Sequence, residues 1–164
     1  TGKKVTNVFD DFLTISFRID GVWQYFIWNA TTEPGKKGVL EYSAKNGVAR
    51  LVPGQYRGVW MIDKHQGKYE ALCQRNGNVT VWRDANKDLV FDETKTDTGM
   101  FGINIHRATS LKGKKSTYVG KWSAGCQVIA ENDDWHAFLD VCQTARDTWS
   151  NNFTYTLVES KDII

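Results

Sequence analysis

Along Leu13-Thr14-Ile15-Ser16-Phe17-Arg18-Ile19 an apolar residue returns at every second position, and Asp20-Gly21 follows at once. That is the period of a pleated strand, closed by a pair whose Gly accepts the positive φ of a tight two-residue turn. Val22 to Trp28, rich in aromatic and β-branched residues, answers on the far side, so an antiparallel hairpin is expected here. The same punctuation recurs downstream. Ala30 to Gly38 reads as loop. Val48 to Val52 and Tyr56 to Ile62 read as strands broken at Pro53-Gly54, and Glu70 to Gln74 and Val79 to Arg83 as two more joined through Arg75-Asn76-Gly77-Asn78. Phe101 to His106 (FGINIH), Gln127 to Ala130 and Phe153 to Val158 complete the set. A chain so patterned is committed to a mainly β fold.

One helix interrupts it. Asn132 stands as a plausible N-cap, with Asp133 and Asp134 in the first turn, where they complement the helix dipole. Trp135, Phe138, Leu139, Cys142 and Ala145 then recur at the spacing of one helical face. With no internal repeat and no linker-like stretch, the expectation is one domain over residues 1–164 with one principal C-terminal helix. The chain opens on Thr1 without a secretory pattern, as expected of a piece processed or cut from a longer chain.

Composition narrows the partners. Lys and Arg number 21 against 19 Asp and Glu, a net charge of +2, which argues against a nucleic-acid binder. No apolar run approaches the ~20 residues that a membrane-spanning helix needs. There are three cysteines, Cys73, Cys126 and Cys142, so one thiol stays free within a single chain whatever the others do.

The segment Gly99 to Ile129 carries the chemistry. His106 ends a strand, a polar Gly/Lys/Ser loop follows, and Ser123-Ala124-Gly125-Cys126 leads into an apolar strand. A thiol attacks as thiolate, and an imidazole nearby takes its proton. Gly125 lets the backbone turn sharply and aims the amides of Gly125 and Cys126 at a developing oxyanion. Read without further context, the same residues also fit a small buried Cys and an ordinary strand-end His.

This pattern resembles the catalytic segment of the L,D-transpeptidase (YkuD-type) family, a strand ending in His and then S-x-G-C before a strand. Ile105-His106 and Ser123, Gly125 and Cys126 match it, and Val52-Pro53-Gly54-Gln55-Tyr56 resembles the family's T-P-x-G-x-Phe/Tyr turn, one position short and with Val for Thr. The resemblance spans about Val48 to Ala130. Arg107 stands where the family usually has Gly, Ala124 where it often has His, and Val128 where an Arg is common. In these departures the chain is similar to phage and prophage relatives.

The resemblance implies a single-domain β-sandwich and a peptidoglycan-active enzyme working in the periplasm, in the cell wall or from a phage virion. Cys126 would attack the carbonyl of the L-centred residue of a murein stem peptide and form a thioester. His106 would take and return the proton, and backbone at Gly125 and Cys126 would hold the oxyanion. Transpeptidase, carboxypeptidase and endopeptidase outcomes share that acyl-enzyme and stay open. A catalytically silent wall-binding or virion structural module is the alternative. Ser123, Arg107 and Trp122 are the candidate substrate contacts, and Ser123 reads equally as a turn former.

Other residues are weighed lower. Asp84-x-Asn86-x-Asp88 offers oxygen ligands at alternate positions, as a calcium loop does, but Leu89 takes the place of the usual Gly and no Glu falls at the twelfth position. Asp/Asn-rich turns are common without metal, so neither a metal nor any other cofactor is expected. Cys73 and Cys142 read as core, and so do Trp28, Trp60 and Trp135. His65 reads as part of an exposed turn, and His136 falls off the apolar stripe, so no zinc-binding set forms. Lys112 to Lys115 reads as a solvated loop, or alternatively as a lid or an attractor for anionic wall polymer.

Overall fold

The computed structural model describes residues 4–42, 45–92 and 94–163. In chain order the elements are β1 Asp11–Ile19, β2 Val22–Thr31, α1 Lys36–Glu41, β3 Val48–Leu51, β4 Gly54–His65, β5 Tyr69–Gln74, β6 Val79–Asp84, β7 Thr96–Gly99, β8 Ile105–Arg107, β9 Gln127–Ile129, α2 Asn132–Thr148 and β10 Phe153–Leu157. A short 3-10 turn follows at Ser160–Asp162. The fold is mainly β with one main helix, as the alternation requires. Seven strands form a curled sheet in the order β1-β2-β9-β8-β5-β4-β10, and three form a small sheet, β3-β6-β7. Within these sheets every pair is antiparallel except β8–β9, where Ile105 faces Gln127 and His106 faces Val128 in parallel register.

The hairpin forms where expected, with Asp20 and Gly21 both at positive φ, 49° and 82°. Only Ala30 and Thr31 of β2 pair onward with β9, so most of this hairpin runs beyond the sheet as a two-stranded ribbon. Leu13 is buried, whereas Ile19, Val22, Trp23, Tyr25 and Ile27 lie exposed. Alternation alone therefore overstated how much of β1 is covered.

Helix α2 lays Trp135, Phe138, Leu139 and Cys142 into the core against Trp28, Trp60, Leu72, Ile105 and Ile129. Phe138 meets the Trp28 ring edge to face at 5.5 Å. Each large side chain removed from water here contributes about 1.5–3 kcal/mol, so the helix is held by its buried face rather than by its cap. Its N-cap is Glu131 with no side-chain cap bond, not Asn132 as expected; the Asn132 side chain instead donates to the Thr109 carbonyl at 3.0 Å. Cys73 and Cys142 are buried and unpaired with any other cysteine, as read from the sequence.

The two strands joined through Arg75–Asn78 form as β5 and β6, in different sheets, so this link crosses from one sheet to the other. Two expectations change. Ala30–Gly38 is not all loop: β2 continues to Thr31 and the six-residue helix α1 begins at Lys36. Residues 101–104 do not extend a strand. Their backbone is taken over by buried Gln74, whose Oε1 accepts from the Phe101 and Ile103 N–H groups at 3.1 and 3.0 Å. The Gln74 Nε2 donates to the Gly77 and Gly99 carbonyls at 2.9 and 3.0 Å. A side-chain amide replaces the ladder that a neighbouring strand would give.

Candidate active site

The parallel pair β8–β9 brings the two halves of the Gly99–Ile129 segment side by side. Cys126 lies just before β9 and Asn104 just before β8, and the Asn104 carbonyl accepts from the Gln127 N–H at 2.9 Å. The Asn104 N–H points at the Cys126 sulfur, at 3.4 Å, and the thiol reaches the Gly102 carbonyl at 3.5 Å. Burial pushes the Cys126 thiol up to about 11, against a smaller lowering by the Asn104 N–H. Near neutral pH the sulfur is therefore a thiol.

Gly125 could be no other residue without distortion. Its φ is +137°, and a Cβ there would stand 2.7 Å from the Ala49 carbonyl oxygen. The turn is stapled by Ser123, which is fully buried, accepts from the Gly125 N–H at 3.1 Å and donates to the Cys126 carbonyl at 2.8 Å. Of the two readings of Ser123, substrate contact and turn former, the structure favours the second, since the side chain has no exposed surface. With the Gly125 N–H engaged, an oxyanion at this turn would fall to the Cys126 N–H. Helix α1 backs the turn from outside, with the Gly35 N–H on the Ser123 carbonyl and the Gly38 N–H on the Gly120 carbonyl. A Cβ on Gly38 would lie 2.3 Å from the Ser123 carbonyl oxygen.

His106 is 4% exposed. Its Nδ1 lies 2.8 Å from the Arg107 carbonyl oxygen, which only accepts, so Nδ1 carries the proton and Nε2 keeps the free lone pair of a base. Burial and the neighbouring His65 hold its pKa down to about 4. Among the described residues no hydrogen bond joins His106 to Cys126, and both are neutral near pH 7, His106 within β8 and Cys126 just before its parallel neighbour β9.

His65 contradicts its reading as an exposed turn. It is the last residue of β4, 7% exposed, and its ring stacks on His106 with centroids 4.2 Å apart and planes inclined by 29°. The turn proper starts one residue later, with Gln66 and Gly67 at φ 50° and 71°. Asn104 settles the His65 tautomer. Its Oδ1 accepts from the Gln74 N–H at 2.9 Å, so its Nδ2 is the group that faces His65 Nδ1 at 3.0 Å. His65 Nδ1 accepts, and its proton sits on Nε2. Burial lowers the His65 pKa, helped by Arg75 and Lys68.

Tyr69 completes the group, its hydroxyl 3.4 Å from His106 Nδ1 and its ring under the Arg107 guanidinium at 4.2 Å. Arg107 is thus joined to the cluster twice, through its carbonyl and its side chain. Trp122 is half exposed and borders a shallow groove with Asn7, Lys36, Lys37, Tyr118 and Lys121, apart from Cys126 and His106. His65, Asn104, Gln74 and Tyr69 escaped the sequence reading. The signal available was weak: Asn104 is a polar residue between Ile103 and Ile105, and Gln74 closes the apolar run Ala71-Leu72-Cys73. Among the described residues no three His, Cys, Asp or Glu side chains converge as a metal centre, and no helix is long and apolar enough to cross a membrane.

Among known proteins, no family model matches this chain, and no curated protein or solved structure is similar to it.

Proposed function

We propose that this chain is a cysteine-dependent acyl-transfer enzyme of the L,D-transpeptidase type, acting on peptidoglycan stem peptides outside the cytoplasm. The observation that carries the reading is the Nδ1–H of His106 on the Arg107 carbonyl, which leaves Nε2 as base on the strand end beside the Cys126 turn. The S-x-G-C turn and the Ile105-His106 strand end support it by resemblance, as does a β fold with one main helix, which suits that family's β-sandwich.

In this mechanism the Cys126 thiol gives its proton to His106 Nε2 as sulfur bonds to the stem-peptide carbonyl carbon. The Cys126 N–H steadies the oxyanion. Collapse breaks the C–N bond, His106 returns the proton to the departing amine, and a thioester remains. An incoming amine or water then releases the acyl group and restores the thiol. Because the thiol is neutral at rest, proton transfer accompanies attack.

The raised pKa of the Cys126 thiol, a side chain only partly open to solvent, favours the second reading, a silent wall-binding or virion module. Purified sacculi treated with the wild type and with Cys126→Ala separate the two. New or shortened muropeptides by mass spectrometry, absent with the variant, are expected. Identical muropeptides from several wall chemistries would sink the enzyme reading, and cosedimentation with sacculi would then support the module.

A further inference from the structure

We propose that the turn following β6 is a calcium site, with Asp84, Asn86 and Asp88 supplying side-chain oxygens to one hard divalent cation. The carrying observation is a buried oxygen. Asp84 is 3% exposed, and among the described residues its Oδ2 has no hydrogen-bond partner. Its Oδ1 accepts from the Lys87 N–H at 2.7 Å, which ties the carboxylate to the turn it opens. A buried carboxylate oxygen without donor or countercharge is costly, and a cation removes that cost.

The neighbouring cations are engaged elsewhere. The Lys87 ammonium turns away to the Tyr42 carbonyl at 2.7 Å, Arg83 pairs with Asp97, and Arg50 lies over the Trp82 and Phe91 rings. Burial raises the Asp84 pKa and the charges of Asp88 and Asp92 add to it, against the Lys87 N–H and, least of all, the Lys87 charge. Asn86 and Asp88 point their side chains at one another, Asn86 Nδ2 donating to Asp88 Oδ2 at 2.8 Å, and the Val90 N–H holds Asp88 Oδ1 at 2.8 Å.

The missing Gly, which spoke against calcium in the sequence, is compensated in the backbone: Leu89 itself adopts φ 65°, and Lys87 φ 60°. Two carboxylates and an amide oxygen, with no imidazole or thiolate, select calcium's class of hard cation over zinc.

The test is thermal unfolding and calorimetric titration of chelator-treated protein with CaCl2, at matched ionic strength. Millimolar calcium is expected to raise Tm by about 3 °C or more, with heat for one site and a smaller effect of MgCl2. Asp88→Asn, at an exposed position, should fold normally and lose the shift. Asp84→Asn should also lose it, with a chelated Tm no lower than that of the wild type, since its amide oxygen retains the Lys87 bond and the uncompensated charge is gone. No shift and no heat in the wild type, or a full shift surviving in Asp88→Asn, would overturn the site.

Discussion

His65 and His106 lie ring on ring, 4.2 Å between centroids, and carry their protons on opposite nitrogens. Asn104 accounts for the arrangement, since one side chain fixes His65 while the same residue's backbone N–H meets the Cys126 sulfur. Two stacked imidazoles resist double protonation, so the pair is built to stay neutral.

That neutrality gives stability a pH dependence. His106 is held at about 4 against an ordinary 6.5, so between these values the unfolded chain binds a proton that the folded chain refuses. Its contribution is complete above pH 6.5 and is lost as pH falls through the window toward 4, by on the order of 3 kcal/mol. His65 acts with the same sign. Urea denaturation across this window should show the slope, and His106→Gln should flatten most of it.

Thiol reactivity should betray a resting thiol rather than an ion pair. With Cys126 raised to about 11, the rate of alkylation by iodoacetamide should climb about tenfold per pH unit through neutrality without a plateau. A plateau at neutral pH, lost in Cys126→Ala, would contradict this electrostatic account.

Gln74 holds residues 99–103 through three hydrogen bonds and Gly77 through a fourth. Gln74→Leu strands the buried Ile103 N–H and loosens the segment beside Cys126. The expected cost is about 3–6 kcal/mol, read as a lowered urea midpoint. Gln74→Glu should fare little better, because it keeps the acceptor but loses both donors.

The turn residues should separate by mechanism. Gly125→Ala meets the Ala49 carbonyl and a φ hostile to side chains, so a loss above about 2 kcal/mol is expected. Ser123→Ala removes only the staple and should cost about 1–3 kcal/mol. If Ser123 shapes the turn rather than binding substrate, any loss of turnover with murein peptides should appear in kcat more than in KM.

What could be read from the sequence was local. The Asp20-Gly21 hairpin and the apolar face of α2 are written in residues a few positions apart, where period and turn chemistry speak directly. The motif named His106 and Cys126 together, but the parallel pairing of β8 with β9 that brings their segments side by side was not read from it. His65 was misread because its burial comes from Asn104, 39 residues away, while its own surroundings are Lys, Gln and Gly. The strand expected at Phe101–Asn104 failed for a like reason. Its alternation is real, but Gln74, reaching in from β5, claims the amides that a ladder would have used.

The parallel β8–β9 pair has a consequence for how such a molecule diversifies. Parallel neighbours require the chain to travel back before it pairs again, and residues 108–126 make that return. Its flanks are sewn down, Ser116 N–H to the Ala130 carbonyl and Asn132 N–H to the Lys114 carbonyl, while its tip near Leu111 and Lys112 faces water. The tip can therefore change in length or charge without disturbing the paired strands, and His106 and Cys126 keep their positions whatever it becomes.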